Sequence, residues 1–417
     1  MRGYIVNGGK RLSGKIKVQG AKNSVLPILA ATLLIKDKSI IHNCPDLTDV
    51  DAALKILMML GCVCVRDDST VIVDSKDAAN YEISRDLMSE MRSSVVFLGA
   101  IIARTGKAVI SYPGGCELGP RPIDLHLSAL EKLGVEIIND DDRIVCSAPK
   151  GINGANIKLA FPSVGATENV IIAATLSKGT TVIENAATEP EISDLADFLN
   201  AAGAKIKGAG SKTVIIEGVN RLFTVEHRVI PDRIAATTYL SAAAITNGEI
   251  LLLNNSAVNM QSVLRFFEDI GCKIKANADT VYLKGQEKYM GGYSITTGVY
   301  PAFPTDAGPI IVPLFSKICG INVIKETIFK NRFRYIEELN KFGAQIKLEG
   351  NTAVCEGIKT LSPADVNCTD LRGGAALLLA ALSARGESKI GEIHHIERGY
   401  CDIINNFKGL NANIKEL

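Results

Sequence analysis

Met59-Leu60-Gly61-Cys62-Val63-Cys64-Val65 reads as the end of an amphipathic helix, a small pivot residue and the start of a short strand. The same sentence returns as Lys132-Leu133-Gly134-Val135-Glu136-Ile137, Ala202-Gly203-Ala204-Lys205-Ile206 and Ile270-Gly271-Cys272-Lys273-Ile274. It returns twice more, as Phe342-Gly343-Ala344-Gln345-Ile346 and Leu410-Asn411-Ala412-Asn413-Ile414. The pivots at 61, 134, 203, 271, 343 and 411 recur at intervals of 68 to 73 residues. Asn at 411 fits the series, because Asn is the other residue that tolerates the left-handed conformation closing a helix.

A second pattern keeps the same period: a short Ala-rich helix, apolar nearly all round, then a turn and a strand. It spans residues 24–34, 93–103, 166–176, 234–245, 307–315 and 374–384. A helix with no polar face has to be buried on all sides, so strands and the amphipathic helices must surround it. Six units of this size, each with two helices and several strands, predict an α/β chain of two similar domains. Each domain holds three repeats, with buried helices inside and sheets outside. A solenoid does not fit, since each unit is too large and lacks a stacking signature.

Composition sets the outer bounds. At 417 residues the chain is long enough for two or three domains. Lys+Arg 46 against Asp+Glu 45 leaves no bulk charge to attract nucleic acid. The start of the chain lacks a signal-peptide core, and the longest apolar runs, such as residues 25–35, fall short of the ~20 residues that span a bilayer. A soluble cytoplasmic protein without membrane insertion is expected. Ten cysteines spread over such a length are no disulfide framework and read as free thiols. The five histidines have no zincin-like spacing, and there is neither a P-loop nor a dinucleotide fingerprint. No metal, ATP or NAD cofactor is expected, and no obligate protein partner is evident.

The starts of the buried helices carry the functional signal. They include Ala21-Lys22-Asn23-Ser24, Met91-Arg92-Ser93-Ser94, Ser163-Val164-Gly165-Ala166-Thr167, Pro231-Asp232-Arg233, Pro304-Thr305-Asp306-Ala307-Gly308 and Asp370-Leu371-Arg372. Asn, Ser, Thr and Asp are ordinary N-caps. Capping has no need of Lys22, Arg92, Arg233 or Arg372, and a cation there opposes the helix dipole at up to ~1 kcal/mol. Four cations in six equivalent places read as positive potential gathered for a polyanionic ligand. The loop Tyr112-Pro113-Gly114-Gly115-Cys116-Glu117-Leu118-Gly119-Pro120-Arg121-Pro122 is too rich in Gly and Pro for helix or central strand. It reads as a surface lid whose thiol, beside Arg121, is biased toward the reactive thiolate.

These segments, with Pro301-Ala302-Phe303-Pro304, Asn331-Arg332-Phe333 and His395-Ile396-Glu397-Arg398-Gly399-Tyr400, resemble the UDP-N-acetylglucosamine 1-carboxyvinyltransferase family of enolpyruvyl transferases. The matches run in order along essentially the whole chain. The resemblance implies the inside-out α/β architecture, with domain 1 at 22–229, including the Cys loop 112–122. Domain 2 would be 1–21 plus 230–417, and the active site would lie in the cleft between the domains. It implies transfer of the enolpyruvyl group of phosphoenolpyruvate to the 3′-hydroxyl of UDP-N-acetylglucosamine, with release of phosphate. Lys22, with Asn23, would bind phosphoenolpyruvate; Arg121 and Arg398 would clamp its phosphate, with Arg92, Arg332 and Arg372 adding positive field. Asp306 would take the sugar proton, and Cys116 would give a proton to C3 and form a covalent adduct. The nucleotide-sugar would meet Arg92, Arg121, Pro122, Ile123, Asp124, Leu125, Ser163, Val164, Asp306 and Ile328. Some relatives carry Lys where this chain has Phe161. The sister enzyme acting on shikimate 3-phosphate lacks the Cys loop, and a non-catalytic relative would be free to lose Cys116 or Asp306, both present here.

Overall fold

All six pivot positions have left-handed backbone: φ is +97° at Gly61, +90° at Gly134, +104° at Gly203, +96° at Gly271, +82° at Gly343 and +67° at Asn411. Each ends an outer helix and aims the chain into a strand, which is why only Gly or Asn stands there. The structure is a computed structural model that describes residues 2–111, 123–140 and 143–417, the side chains of residues 92 and 93 excepted.

The inner helices are Lys22–Thr32, Phe97–Thr105, Val164–Thr175, Arg233–Ile245, Gly308–Phe315 and Leu371–Ser383. Every residue of Ile234–Ile245 and of Gly308–Phe315 is buried, as the all-round apolar pattern requires. The second inner helix is preceded by the 3₁₀ turn Arg92–Val96, so the regular helix begins later than the sequence pattern suggests.

One sheet accompanies each inner helix, and five of the six have four strands. The plan is constant: an edge strand pairs in parallel with the strand after the inner helix, and the next two strands add antiparallel. In one sheet Ser294–Thr296 lies parallel to Ile321–Lys325, followed by Thr352–Glu356 and Gln345–Glu349. The sheet of Lys107–Ser111, Arg143–Ser147 and Glu136–Asp140 has three strands among the described residues. There the edge strand shrinks to a single parallel bridge between Glu82 and Val109.

The chain divides into two compact units between Gln19 and Gly20 and again between Ile230 and Pro231. In the unit holding Pro231–Leu417, the N-terminal strand Gly3–Gly8 inserts antiparallel between Gly386–Gly391 and Asn413–Glu416. Strand Ser13–Lys17 supplies the parallel edge for Glu249–Leu253. Its three inner helices pack against one another, in a core that runs from Tyr4 to Ile414. In the unit between Gly20 and Ile230, the last strand Val225–Arg228 returns to pair in parallel with the first, Lys38–His42. Phe97–Thr105 packs there against both Val164–Thr175 and Lys22–Thr32. No helix among the described residues is long and apolar enough to cross a membrane.

Candidate active site

In the unit between Gly20 and Ile230, Lys22 is the first residue of its inner helix. Its ammonium lies 2.7 Å from Asp49 Oδ2, with the two side chains 12% and 2% exposed. Asp49 sits in the first turn of helix Thr48–Met59, where an acid suits the dipole. Nothing in the sequence pattern sets Asp49 apart from other first-turn acids. Two residues after Lys22, Ser24 Oγ donates to Asp194 Oδ2, whose other oxygen lies 2.9 Å from His227 Nε2. This network anchors the Lys22 turn to helix Pro190–Ala201 and to the last strand.

Ser163 caps the third inner helix, accepting from Ala166 N at 3.3 Å, and Val164 is half-buried on its first turn. Asn169, one turn further in, donates to Val95 O at 2.8 Å, accepts from Gly99 N at 2.7 Å and lies 2.7 Å from His126 Nδ1. His126 follows the Asp124-Leu125 pair on helix Asp124–Lys132, and its ring fills the space that a Cβ at Gly165 would need. The two expected nucleotide-sugar segments are thus tied together by a buried amide and imidazole. Of those segments, Asp124 is exposed and Leu125 half-buried, whereas Ile123 is 7% exposed and belongs to the core. Asn23 is half-buried. Phe161 is exposed, and its carbonyl accepts from Ser163 N at 2.7 Å. Cys116, Arg121 and Pro122 lie outside the described residues, as does the Arg92 side chain.

The unit holding Pro231–Leu417 carries a denser cluster. Asp306 is gripped on both oxygens: Arg332 Nη2 donates to Oδ1 and Arg372 Nη2 donates to Oδ2 at 3.3 Å. Both guanidiniums are 3% exposed, against 27% for the carboxylate between them. Arg332 also donates through Nε and Nη2 to Thr305 O at 3.1 and 2.9 Å. Arg372 donates to Tyr400 OH at 3.2 Å, and that hydroxyl shares a 2.8 Å bond with Thr238 Oγ1. Burial pulls the Arg372 pKa down, but Tyr400 and Asp306 outweigh it and the net shift is upward. Burial raises the Tyr400 phenol, with Arg372 acting against it. Among the described residues Arg372 Nε has no hydrogen-bond partner, an unspent donor on a buried cation. Arg398 follows helix His394–Glu397 and is half-buried, two residues before Tyr400. Ile328 is half-buried in the segment after strand Ile321–Lys325.

Capping explains part of the helix-start signal. Asp232 accepts from Ile234 N and Ala235 N, and Asp370 from Arg372 N and Gly373 N, so those helix ends hold their own anion. The helices starting at Lys22 and Gly308 have no side-chain cap. Burial pushes the thiols of Cys146, Cys355 and Cys368 up to about 12 and those of Cys44 and Cys272 to about 11. Among the described residues no cluster of three His, Cys, Asp or Glu could hold a metal ion.

What this arrangement offers is two buried guanidiniums flanking a partly exposed carboxylate, suited to an acidic substrate beside a hydroxyl. The fold is that of the enolpyruvyl transferases. The enolpyruvyl transferase NikO from Streptomyces tendae aligns with a TM-score of 0.90 at 23% identity, over 100% of this chain and 98% of that one. The EPSP synthase of Acinetobacter baumannii aligns at 0.77 and 15%, over the whole of both chains. The sequence profile of the family described as EPSP synthase (3-phosphoshikimate 1-carboxyvinyltransferase) matches residues 6–407. The UDP-N-acetylglucosamine 1-carboxyvinyltransferase 2 of Caldanaerobacter subterraneus subsp. tengcongensis is 47% identical over 99% of this chain and 98% of its own. Enzyme 1 of the same name from Symbiobacterium thermophilum is 45% identical over 99% and 95%. The chain belongs to the UDP-N-acetylglucosamine 1-carboxyvinyltransferase family of transferases.

Proposed function

We propose that this protein transfers the enolpyruvyl group of phosphoenolpyruvate to the 3′-hydroxyl of UDP-N-acetylglucosamine and releases phosphate, the first committed step of peptidoglycan synthesis. The observation that carries the reading is near-full-length identity of 45–47% to enzymes of that name. The Arg332–Asp306–Arg372 cluster supplies a chemistry that fits it. In the addition step the sugar oxygen bonds to C2, its proton passes to Asp306, and a proton from Cys116 reaches C3. In the elimination step C3 gives up a proton, the C2–O bond to phosphate breaks and the double bond re-forms. Lys22, Asn23, Arg121 and Arg398 hold phosphoenolpyruvate, with Arg92, Arg332 and Arg372 shaping the field.

An incoming substrate acid competes with Asp306 for Arg332 and Arg372, whose guanidiniums fit carboxylate and phosphate alike. Both substrates are small anions of the cytoplasm, and the reaction calls for neither nucleic acid, membrane nor protein partner. The test is phosphate release by purified protein with phosphoenolpyruvate plus UDP-N-acetylglucosamine, run beside shikimate 3-phosphate. Release with the nucleotide-sugar alone supports the reading; release only with shikimate 3-phosphate, or with neither acceptor, overturns it.

A further inference from the structure

Strand Ile321–Lys325 is followed directly by a glutamate that the proposed reaction itself does not use. Glu326 is 1% exposed, and every oxygen of its carboxylate is engaged. Oε2 accepts from Thr305 Oγ1 at 2.8 Å, while Oε1 accepts from Ile328 N at 2.6 Å and Phe329 N at 3.1 Å. Its own N–H is fixed to Asn351 O at 2.8 Å, so the carboxylate projects from a hydrogen-bonded strand end rather than from a free loop.

The partners are what give the residue meaning. Thr305 immediately precedes Asp306, and its carbonyl is the second acceptor for Arg332. Ile328 is, with Asp306, an expected nucleotide-sugar contact of this unit, and the guanidinium of Arg332 stands 5.3 Å from the Phe329 ring centroid. One buried carboxylate therefore fastens the turn that carries the candidate base to the segment that would receive the sugar nucleotide. A buried anion satisfied by two backbone N–H groups and one hydroxyl is costly to place and rigid once placed.

We propose that Glu326 is a positioning residue that sets the Asp306 carboxylate and the Ile328 segment in register, so that nucleotide-sugar binding places the 3′-hydroxyl against the base. The proposal rests on the enolpyruvyl-transfer reading above. Two cuts separate its halves. Thr305→Val removes only the link to the base and keeps the shape of the side chain; Glu326→Ala removes both links.

The experiment measures kcat and KM for each substrate, with thermal denaturation as the check of folding. Thr305→Val is expected to lower kcat by roughly tenfold to a hundredfold, the scale of a small misplacement of a reacting group, with KM for UDP-N-acetylglucosamine within about twofold of the parent. Thr305→Ser restores the hydroxyl and recovers most of the lost kcat. Glu326→Ala lowers kcat and also raises KM for the nucleotide-sugar more than for phosphoenolpyruvate. A purely structural role would shift the melting temperature and leave both constants of the folded enzyme unchanged. Full kcat in Thr305→Val, with the unmodified protein active, overturns the positioning role alone; an unmodified protein inactive with UDP-N-acetylglucosamine overturns the functional reading and this inference with it.

Discussion

At Asp306 two requirements meet. In the proposed reaction the carboxylate has to be held where a hydroxyl arrives, and it has to accept a proton there. Arg332 and Arg372 meet the first requirement by holding the carboxylate on both oxygens. Asp306→Asn keeps the size and loses the base, so kcat should fall by about 10²–10⁴-fold, the usual range for a general base. The nucleotide-sugar dissociation constant, measured by calorimetry, should change far less; equal losses in both would reduce Asp306 to a sugar contact. Cys116→Ser should lower turnover severely, and an epoxide phosphonate mimicking phosphoenolpyruvate should alkylate Cys116, with mass spectrometry locating the label. Lys22 and Arg372 were readable in the sequence because cations at helix starts break a general rule; Arg332 and the role of Asp306 came only with the family resemblance. Their partners were not readable: Asp49 and Glu326 look like any first-turn acid and any strand-end acid until the fold brings Lys22 and Thr305 beside them.

At the scale of elements, the pivots and the inner helices make separate predictions. Gly343 has φ +82° and nothing within 4 Å of where a Cβ would stand, so Gly343→Ala isolates the backbone cost from any clash. It should destabilise by about 1–2 kcal/mol in denaturant unfolding, the penalty of left-handed backbone for a Cβ residue. Gly343→Asn should cost clearly less, following the natural Asn411 at φ +67°. In the third inner helix Glu168 is almost wholly buried, and burial, with Glu191 and Glu189 nearby, drives its pKa well above the usual carboxylate range. The folded state therefore binds this proton more tightly than the unfolded chain does. The stabilisation is complete below the unfolded pKa and is lost as pH rises through the folded one. Glu168→Gln, which mimics the protonated acid, should melt close to the parent at pH 4 and above it at pH 8. A parent–variant difference that does not grow with pH would contradict this. The 3₁₀ turn Arg92–Val96 shows the limit of pattern reading, since apolar periodicity locates a helix but not the turn geometry at its start.

For the molecule as a whole, sequence order and spatial order part company. The first strand completes the last repeat, lying between Gly386–Gly391 and Asn413–Glu416. Deleting residues 2–9 should therefore damage the far end of the sequence, leaving both strands with unpaired edges and exposing the core beneath Tyr4 and Val6. Proteolysis and thermal melting should show the unit of Pro231–Leu417 destabilised first; unchanged melting would mean the strand is dispensable. The repeat itself was legible without coordinates, because a period of about 70 residues with Gly or Asn at each pivot records a local backbone need that each unit meets by itself. The same holds for the six apolar helices, whose burial follows from having no polar face, and for the cations at their starts. Which strand closes which sheet and which acid meets which cation depend on contacts between residues distant along the chain, from Gly3 against Gly391 to Arg372 against Asp306, 66 positions apart. Such pairings leave no periodic mark in a single chain, since pairing energy depends on distance in space; those the tertiary structure alone decided.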